Sequence, residues 1–198
     1  MLDKFFSKKP SGPLDPANNP RMLATAGSAS ADLAADLLTA PTALMQLGKE
    51  DAKVVVSYMK PSKISEGTTF IKEGDKNDTG YMMLILEGEV TVENIVVSRV
   101  SPITVTVLGA GSLIGEMGLV DGEPRSASCT ATTDIRCAVL TRHSLQELMD
   151  EQPAIGGKLM MAVSLRIAER MRDASDKLKL YAQLTQAMQQ EIDKLMPT

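Results

Sequence analysis

Residues 113–127 read LIGEMGLVDGEPRSA, and this run decides how the whole chain is interpreted. It sets two glycines, Gly115 and Gly118, around a short helical turn, with an obligate cation, Arg125, just before a predicted strand. The glycines let backbone N–H groups approach an anion closely, and the N-terminus of the turn adds partial positive charge. The guanidinium of Arg125 is a planar fork that suits two phosphate oxygens. The run therefore predicts a phosphate-binding segment.

Glu116 gives this segment a second role, because a carboxylate repels a bare phosphate. A carboxylate accepts hydrogen bonds, and the natural donor beside a phosphate is a ribose hydroxyl. Phosphate and sugar together indicate a nucleotide. The alternative is a degenerate segment that only keeps the surrounding strands folded, with Glu116 and Arg125 paired to each other, since unpaired buried charges cost several kcal/mol.

Outward from this run, residues 64–140 consist of short stretches of Val, Ile, Thr and Tyr separated by glycines, which is typical of strands joined by tight turns. The clearest strand candidates are Tyr81–Leu86, Val90–Val92, Val96–Val97 and Ile103–Val107. About eight short antiparallel strands predict a double-sheet β-roll or jelly roll with a hollow between the sheets. We assign this core to residues 61–142.

The N-terminal part divides in two. Residues 1–30 are rich in Pro, Ser, Ala, Gly and Asn, a composition that predicts a disordered tail. The tip, Met1–Lys9, places two Phe beside basic residues, so a docking peptide is the alternative there. Residues 31–60 show helical spacing of leucines and valines and predict helices that pack on the β-roll.

Residues 143–198 predict a short helix, with Thr141 as its N-cap, and then a long helix after Pro153. In the long helix the a and d positions of a heptad are occupied by Met171, Ala174, Leu178, Tyr181, Thr185, Met188, Ile192 and Leu195. An apolar stripe of this length that nothing covers is costly. We therefore expect a parallel two-helix homodimer, the alternative being a helix folded back on its own β-roll.

Composition excludes several classes of protein. The 198 residues suit about one domain plus a helix or tail, and an isoelectric point near 5.1 argues against a broad DNA-binding surface. A single histidine, His143, and two cysteines, Cys129 and Cys137, cannot build a histidine-rich or four-cysteine metal site. The sequence thus predicts no catalytic residues, no metal, no cofactor and no enzyme. With no apolar run of about 18–20 residues and no secretory segment, we expect a cytoplasmic protein without a membrane span.

The ungapped pattern Gly-Glu-Met-Gly-Leu, a short loop and Pro-Arg-Ser-Ala resembles the phosphate-binding cassette of the cyclic nucleotide-binding domain family. This family includes catabolite-activator transcription factors, protein kinase A regulatory subunits and nucleotide-gated channels. Residues 66–75 and 84–90 resemble its opening strands, so the likeness spans about residues 60–180. It implies an α+β fold, a double-stranded β-helix (jelly roll) with N-terminal helices and a long C-terminal dimerisation helix.

The resemblance also implies roles for individual residues. Backbone groups of Gly115, Met117 and Gly118 would line the phosphate and ribose, Glu116 would bind the ribose 2′-hydroxyl, Arg125 would pair with the cyclic phosphate, Ser126 would add a hydroxyl, and Leu113, Leu119 and Ala127 would shape the pocket. A Thr-Ser pair reads the purine in several cAMP-responsive relatives. Here that position holds Ala174 and Ser175, or Arg170 and Met171 on an ungapped count. We therefore take Arg170, Ala174 and Ser175 as candidate base contacts, with cAMP as the default ligand and cGMP or a cyclic dinucleotide as alternatives.

Transcriptional relatives carry a helix-turn-helix of about seventy residues after the dimer helix, whereas this sequence ends at Thr198. We therefore expect no direct DNA binding and an effector in a partner protein. The function predicted is a stand-alone cyclic nucleotide sensor that signals through its dimer helix. The alternative is a dimeric scaffold with a degenerate cassette that binds no nucleotide.

Overall fold

The computed structural model describes residues 19–94 and 103–195. Its elements follow the order that the sequence pattern predicts: helices first, then strands, then helices. The first helices are α1 (Pro20–Thr25), α2 (Ala29–Leu38) and α3 (Lys49–Ser57). The strands are β1 (Lys60–Ile64), β2 (Thr69–Ile71), β3 (Tyr81–Glu87), β4 (Val90–Asn94), β5 (Ile103–Leu108), β6 (Leu113–Ile114), β7 (Ser128–Ala131) and β8 (Ile135–Thr141). The remaining helices are α4 (Glu116–Asp121), between β6 and β7, then α5 (Arg142–Glu151) and α6 (Pro153–Leu195).

The strands form two four-stranded antiparallel sheets, one in the order β1-β8-β3-β6 and the other in the order β2-β7-β4-β5. Their inner faces share one apolar core, made of Ile71, Met83, Ile85, Val90, Ile114, Cys129, Ala131, Ile135 and Cys137. Both cysteines are buried thiols in this core, Cys129 in β7 and Cys137 in β8. The predicted α+β jelly roll is confirmed.

Strand β3 is buried on both faces, unlike a strand with one face to solvent. Met83 and Ile85 join the core between the sheets, while Met82 and Leu84, which point the other way, have no exposed surface. Helix α2 contacts β3 and covers that second face. The N-terminal helices therefore anchor the strand whose first residue, Tyr81, reaches the site described below.

The prediction of a disordered tail over residues 1–30 is wrong for its last third, because α1 occupies residues 20–25 and α2 begins at Ala29. Asn19 caps α1 by accepting from the Arg21 N–H at 2.9 Å, and Pro20 stands at the first helical position, where its missing N–H costs nothing. The same prolines that suggest an irregular tail include one that starts a helix. Residues 1–18, with the Met1–Lys9 tip, lie outside the described residues, as does the strand predicted at Val96–Val97.

Polar contacts hold α1 on the helices around it. The Arg21 guanidinium pairs with Glu147 of α5 at 3.0 Å and lies 4.7 Å from the centre of the Tyr58 ring. The Tyr58 hydroxyl donates to Glu151 at 2.7 Å. Burial first, and then this bond, raise the pKa of Tyr58 to about 12.

Helix α5 begins as predicted, with the Thr141 hydroxyl accepting from the Ser144 N–H at 3.2 Å. Helix α6 is continuous for 43 residues. The chain divides into two compact units, the first ending at Val163 and the second beginning at Ser164. None of the helices in the described residues combines the length and apolar character that a membrane crossing requires.

Candidate functional site: the cassette between β6 and β7

The cassette, residues 113–127, contains the short helix α4, which is bounded by two glycines in the left-handed region. Gly115 precedes the helix with φ 81°, and Gly122 ends it with φ 71° and donates its N–H to the Gly118 carbonyl. Residues other than glycine rarely adopt this backbone conformation. The first N–H groups of a helix have no acceptor within that helix, so the first turn of α4 presents donors beside Gly115.

The backbone of Arg125 is fixed to the loop that follows β2. Its N–H donates to the Asp75 carbonyl at 3.0 Å, and its carbonyl accepts from the Gly74 N–H at 2.8 Å. These two bonds fix where the side chain starts. The side chain then turns inward, and the residue is only 7% exposed.

The Arg125 guanidinium donates to backbone carbonyls of two separate segments. Nη1 donates to Gly115 at 3.1 Å and to Tyr81 at 3.3 Å, while Nη2 donates to Asp78 at 3.1 Å and to Tyr81 at 3.3 Å. The Tyr81 ring lies 4.3 Å from the guanidinium carbon, a distance typical of a cation–π contact. These partners are dipoles and a ring quadrupole, so they solvate the buried cation without neutralising its charge.

The guanidinium also lies directly against the two glycines of the cassette. A Cβ atom on Gly115 would come within 2.7 Å of Nη1, and one on Gly118 within 2.9 Å. Gly118 is further closed in by the Thr79 carbonyl, at 2.7 Å from such a Cβ. Both positions therefore need glycine, here for the close approach of the Arg125 guanidinium, while the approach of an anion to these glycines stays a prediction.

Glu116 is the first residue of α4 and is 1% exposed. A carboxylate in the first turn of a helix is favoured by the helix dipole. Its neighbour Gly115 accepts a hydrogen bond from Arg125, so the cassette holds one buried acid and one buried base around a single glycine. Such a pair of opposite buried charges is suited to a ligand with both hydroxyl and anionic groups.

The structure brings the other predicted ligand residues to the same place. Met117 is 42% exposed on the outer face of α4, and its sulfur lies 4.0 Å from the Ser126 hydroxyl. Ser126 is exposed and Ala127 is half-buried, whereas Leu113 and Leu119 are buried. The ligand roles of these residues stay predictions.

The candidate base contacts lie in the second compact unit, on α6. Arg170 is half-buried, and Ala174 and Ser175 are exposed. Their assignment to a purine also stays a prediction.

Sequence reasoning missed two residues of the site. Tyr81 supplies both a ring and a carbonyl to Arg125, and Arg142 donates to the carbonyls of Gly118 and Leu119 at the other end of α4. The chain has only three tyrosines, so the aromatic residue directly after Gly80 is a sequence signal that indicates Tyr81. Burial raises the pKa of Tyr81, and the nearby Arg125 charge opposes this shift. Nothing in the local sequence pointed to Arg142.

Comparison with known proteins finds relatives that resemble this chain in sequence and in fold. Residues 61–152 match the family model described as the cyclic nucleotide-binding domain. A solved cyclic nucleotide-binding domain from Methylobacillus flagellatus is 28% identical and superimposes with a TM-score of 0.65 over 76% of this chain and 83% of its own. The crystal structure of the Thermus thermophilus catabolite activator protein is 25% identical, with a TM-score of 0.61 over 74% of this chain and 63% of its own.

Curated relatives match over a similar region. A cyclic nucleotide-gated potassium channel of Rhizobium etli is 31% identical over 60% of this chain and 31% of the channel. The cyclic AMP receptor protein of Thermus thermophilus is 28% identical over 68% of this chain and 59% of the receptor. The chain thus spans about a third to three fifths of the length of these two relatives. Residues 61–152, which hold the two-sheet roll and the cassette with its buried arginine, thus match the cyclic nucleotide-binding domain family.

Proposed function

We propose that the chain is a sensor that binds a cyclic nucleotide, with cAMP as the ligand, in the cassette. One observation carries the proposal: Arg125 is only 7% exposed, and its guanidinium is solvated, among the described residues, by three backbone carbonyls and one aromatic ring. A buried charge that is solvated only by dipoles is costly. A cyclic phosphate would bring the missing negative charge, and a bidentate pair with arginine is among the strongest hydrogen-bonded contacts in proteins.

The cassette has donors and acceptors for the rest of a nucleotide. The first turn of α4 presents N–H groups to phosphate oxygens, and the Glu116 carboxylate accepts from a ribose hydroxyl. The names of two relatives, a cyclic AMP receptor protein and a cAMP-dependent protein kinase regulatory subunit, support cAMP as the ligand to test first. A binding module of this kind needs no catalytic group, and we assign it none.

For the output, we propose a homodimer formed along the C-terminal half of α6, which passes the signal to an effector protein. The predicted seam is solvent-exposed over residues 171–195: Met171, Leu178, Tyr181 and Met188 are each at least 62% exposed, Ile192 is 45% exposed and Leu195 is 80% exposed. A contiguous apolar stripe of this kind marks a protein interface. A second copy of the helix would cover it in register.

The scaffold alternative has one observation in its favour. The four Arg125 N–H bonds to carbonyls satisfy much of the guanidinium without a ligand. In that case the cassette only keeps the surrounding strands folded, and no nucleotide changes the stability of the chain.

Calorimetric titration of cAMP into the wild type, Arg125→Ala and Arg136→Ala separates the two functions. Arg136 is the matched control, a surface arginine that is 43% exposed and pairs with Glu87 at 2.7 Å. We expect binding by the wild type and Arg136→Ala, and at least a hundredfold loss for Arg125→Ala, which is about 2.7 kcal/mol.

A thermal-shift panel of cAMP, cGMP and cyclic dinucleotides accompanies the titration. At a ligand concentration a hundred times Kd the stabilisation is about 2.7 kcal/mol, which raises Tm by about 5–11 °C in a domain of this size. No shift with any nucleotide in the wild type, or equal heats from Arg125→Ala, would favour the scaffold.

A further inference from the structure

Arg142, the first residue of α5, is bonded to the carboxyl end of the cassette helix α4. Its Nη2 donates to the Gly118 carbonyl at 2.8 Å and to the Leu119 carbonyl at 3.0 Å, and its Nε donates to Leu119 at 3.2 Å. The last carbonyls of a helix have no donor within the helix, and they carry its partial negative charge. A guanidinium placed there stabilises α4 and ties it to another helix.

The backbone of Arg142 is itself fixed, so the side chain is not a loose tether. Its N–H donates to the Gly80 carbonyl at 2.7 Å, at the entrance to β3. The preceding residue, Thr141, caps α5 through the Ser144 N–H. A force on the guanidinium is therefore transmitted to the first turn of α5.

The contact between Arg142 and α4 is also tight. Gly122 ends α4 with φ 71°, and a Cβ at this position would lie 2.9 Å from both terminal nitrogens of Arg142. The helix end and the guanidinium thus pack without a gap. A displacement of α4 by about an ångström must either break these bonds or move Arg142 with it, because hydrogen bonds to carbonyls weaken quickly beyond about 3.2 Å.

Helix α4 is held at its other end by the arginine of the proposed ligand site, through the Arg125 bond to Gly115 at 3.1 Å. A phosphate that draws Arg125 into a bidentate pair competes with this bond. The six residues of α4 therefore link the two guanidinium groups, one at the ligand and one at the start of α5.

We infer that Arg142 is a positioning residue: it holds α4 in place for the nucleotide and passes the displacement of α4 on binding to α5. The inference rests on the proposed function, because it needs a ligand at Arg125. It assigns to one side chain the step between ligand occupancy and helix movement. Removal of that side chain leaves Arg125, Glu116 and the glycines in the chain, but it removes these bonds between the cassette helix and α5.

The test is hydrogen–deuterium exchange of the peptide covering residues 142–151, with and without saturating cAMP, in the full chain. The variants are Arg142→Gln, which removes the charge, and Arg142→Lys, which keeps a charge near the end of α4 but loses the fork. His143→Gln is the control, because this neighbouring side chain is 81% exposed on the same turn. Calorimetry on each protein gives the affinity and sets the saturating concentration.

We expect cAMP to change exchange in α5 of the wild type and of His143→Gln, and to leave it unchanged in Arg142→Gln at saturation. Affinity should fall about 5- to 150-fold in Arg142→Gln, the usual range for coupled sites, and less in Arg142→Lys. A wild-type response of α5 that persists in both Arg142 variants would overturn this inference alone, as would a wild type that binds cAMP without any response of α5. A wild type that binds no cyclic nucleotide would overturn the proposed function and this inference with it.

Discussion

Replacement of Gly115 by alanine tests whether the glycine is required by the guanidinium of Arg125 or only by backbone conformation. Gly115 has φ 81°, and its missing side chain leaves room for Nη1. Gly67, in the turn between β1 and β2, provides the matched comparison. Its φ is 77° and no atom lies within 4 Å of a Cβ built there. Gly67→Ala therefore carries the backbone penalty without the contact.

The expected magnitudes follow from these two environments. The left-handed conformation costs alanine about 1–2 kcal/mol relative to glycine at either position. At Gly115 the new Cβ would also meet Arg125 Nη1 at 2.7 Å and the Tyr81 carbonyl at 3.0 Å, so the guanidinium must shift. The loss of even one hydrogen bond from a charged group costs about 1.5–3 kcal/mol. Gly115→Ala should lower the free energy of unfolding by about 2.5–5 kcal/mol, against about 1–2 kcal/mol for Gly67→Ala.

Thermal unfolding and cAMP titration of both variants measure the difference. With about 2–4 °C per kcal/mol, Tm should fall by about 5–20 °C in Gly115→Ala and by about 2–8 °C in Gly67→Ala. Because the shifted guanidinium is also the proposed phosphate ligand, cAMP affinity should fall about 10- to 150-fold in Gly115→Ala. Gly67→Ala should bind as the wild type does. Equal losses of stability in the two variants, together with unchanged affinity, would refute the role given to Arg125 at this glycine.

Two further predictions concern the helices. The pKa of Tyr58 is raised from 10.0 to about 12, by burial and then by its bond to Glu151, so the folded state favours the neutral phenol. The resulting stabilisation is fully present below pH 10 and is lost as the pH rises through 12; Tm curves of wild type and Tyr58→Phe should therefore converge over this range, and a constant gap would contradict the assignment. In α6, the substitutions Leu178→Asp and Met188→Asp together should convert the dimer to a monomer, as measured by light scattering, because both side chains lie in the predicted seam and are 68% and 67% exposed. Lys179→Asp, at heptad position b away from the seam, should leave the dimer intact, and a monomeric wild type would disprove the seam.

The sequence predicts the jelly roll well because its signals are local. Gly80 and Gly88 bracket the apolar run of β3, and Val90 and Val92 mark β4, so the positions of β3 and β4 follow from short stretches. The N-cap of α5 at Thr141 follows in the same way. The error at α1 has the opposite origin: six residues give little helical periodicity, and the bond from Arg21 to Glu147 connects residues far apart in the chain.

The same difference between local and long-range signals applies to the cassette. The need for glycine at positions 115 and 118 and the burial of Arg125 could be predicted, because they belong to one continuous run. The partners of Arg125 could not. The Tyr81 carbonyl lies 44 residues before Arg125 in the chain, and the pairing of β3 with β6 helps to bring the strand beside the cassette. Arg142 reaches α4 from 23 and 24 residues away, because it directly follows β8, which pairs with β3.

These long-range contacts determine how a ligand acts on the site. Because four N–H groups of Arg125 already donate to carbonyls, a phosphate exchanges bonds with Gly115, Asp78 or Tyr81 and gains only the difference. The bonds to carbonyls already come from a charged donor, but a phosphate adds an opposite charge and a bidentate geometry, so this difference favours the phosphate. Micromolar affinity still requires about 8 kcal/mol in all, so contacts from the α4 amides and Glu116 must add to it. Every exchanged bond also releases a backbone carbonyl at the start of α4 or at the entrance to β3, and we therefore expect binding at this site to change the local backbone. Rigid binding, with no change in exchange at residues 78–81 or 115–122 when the nucleotide is added, would rule out this exchange.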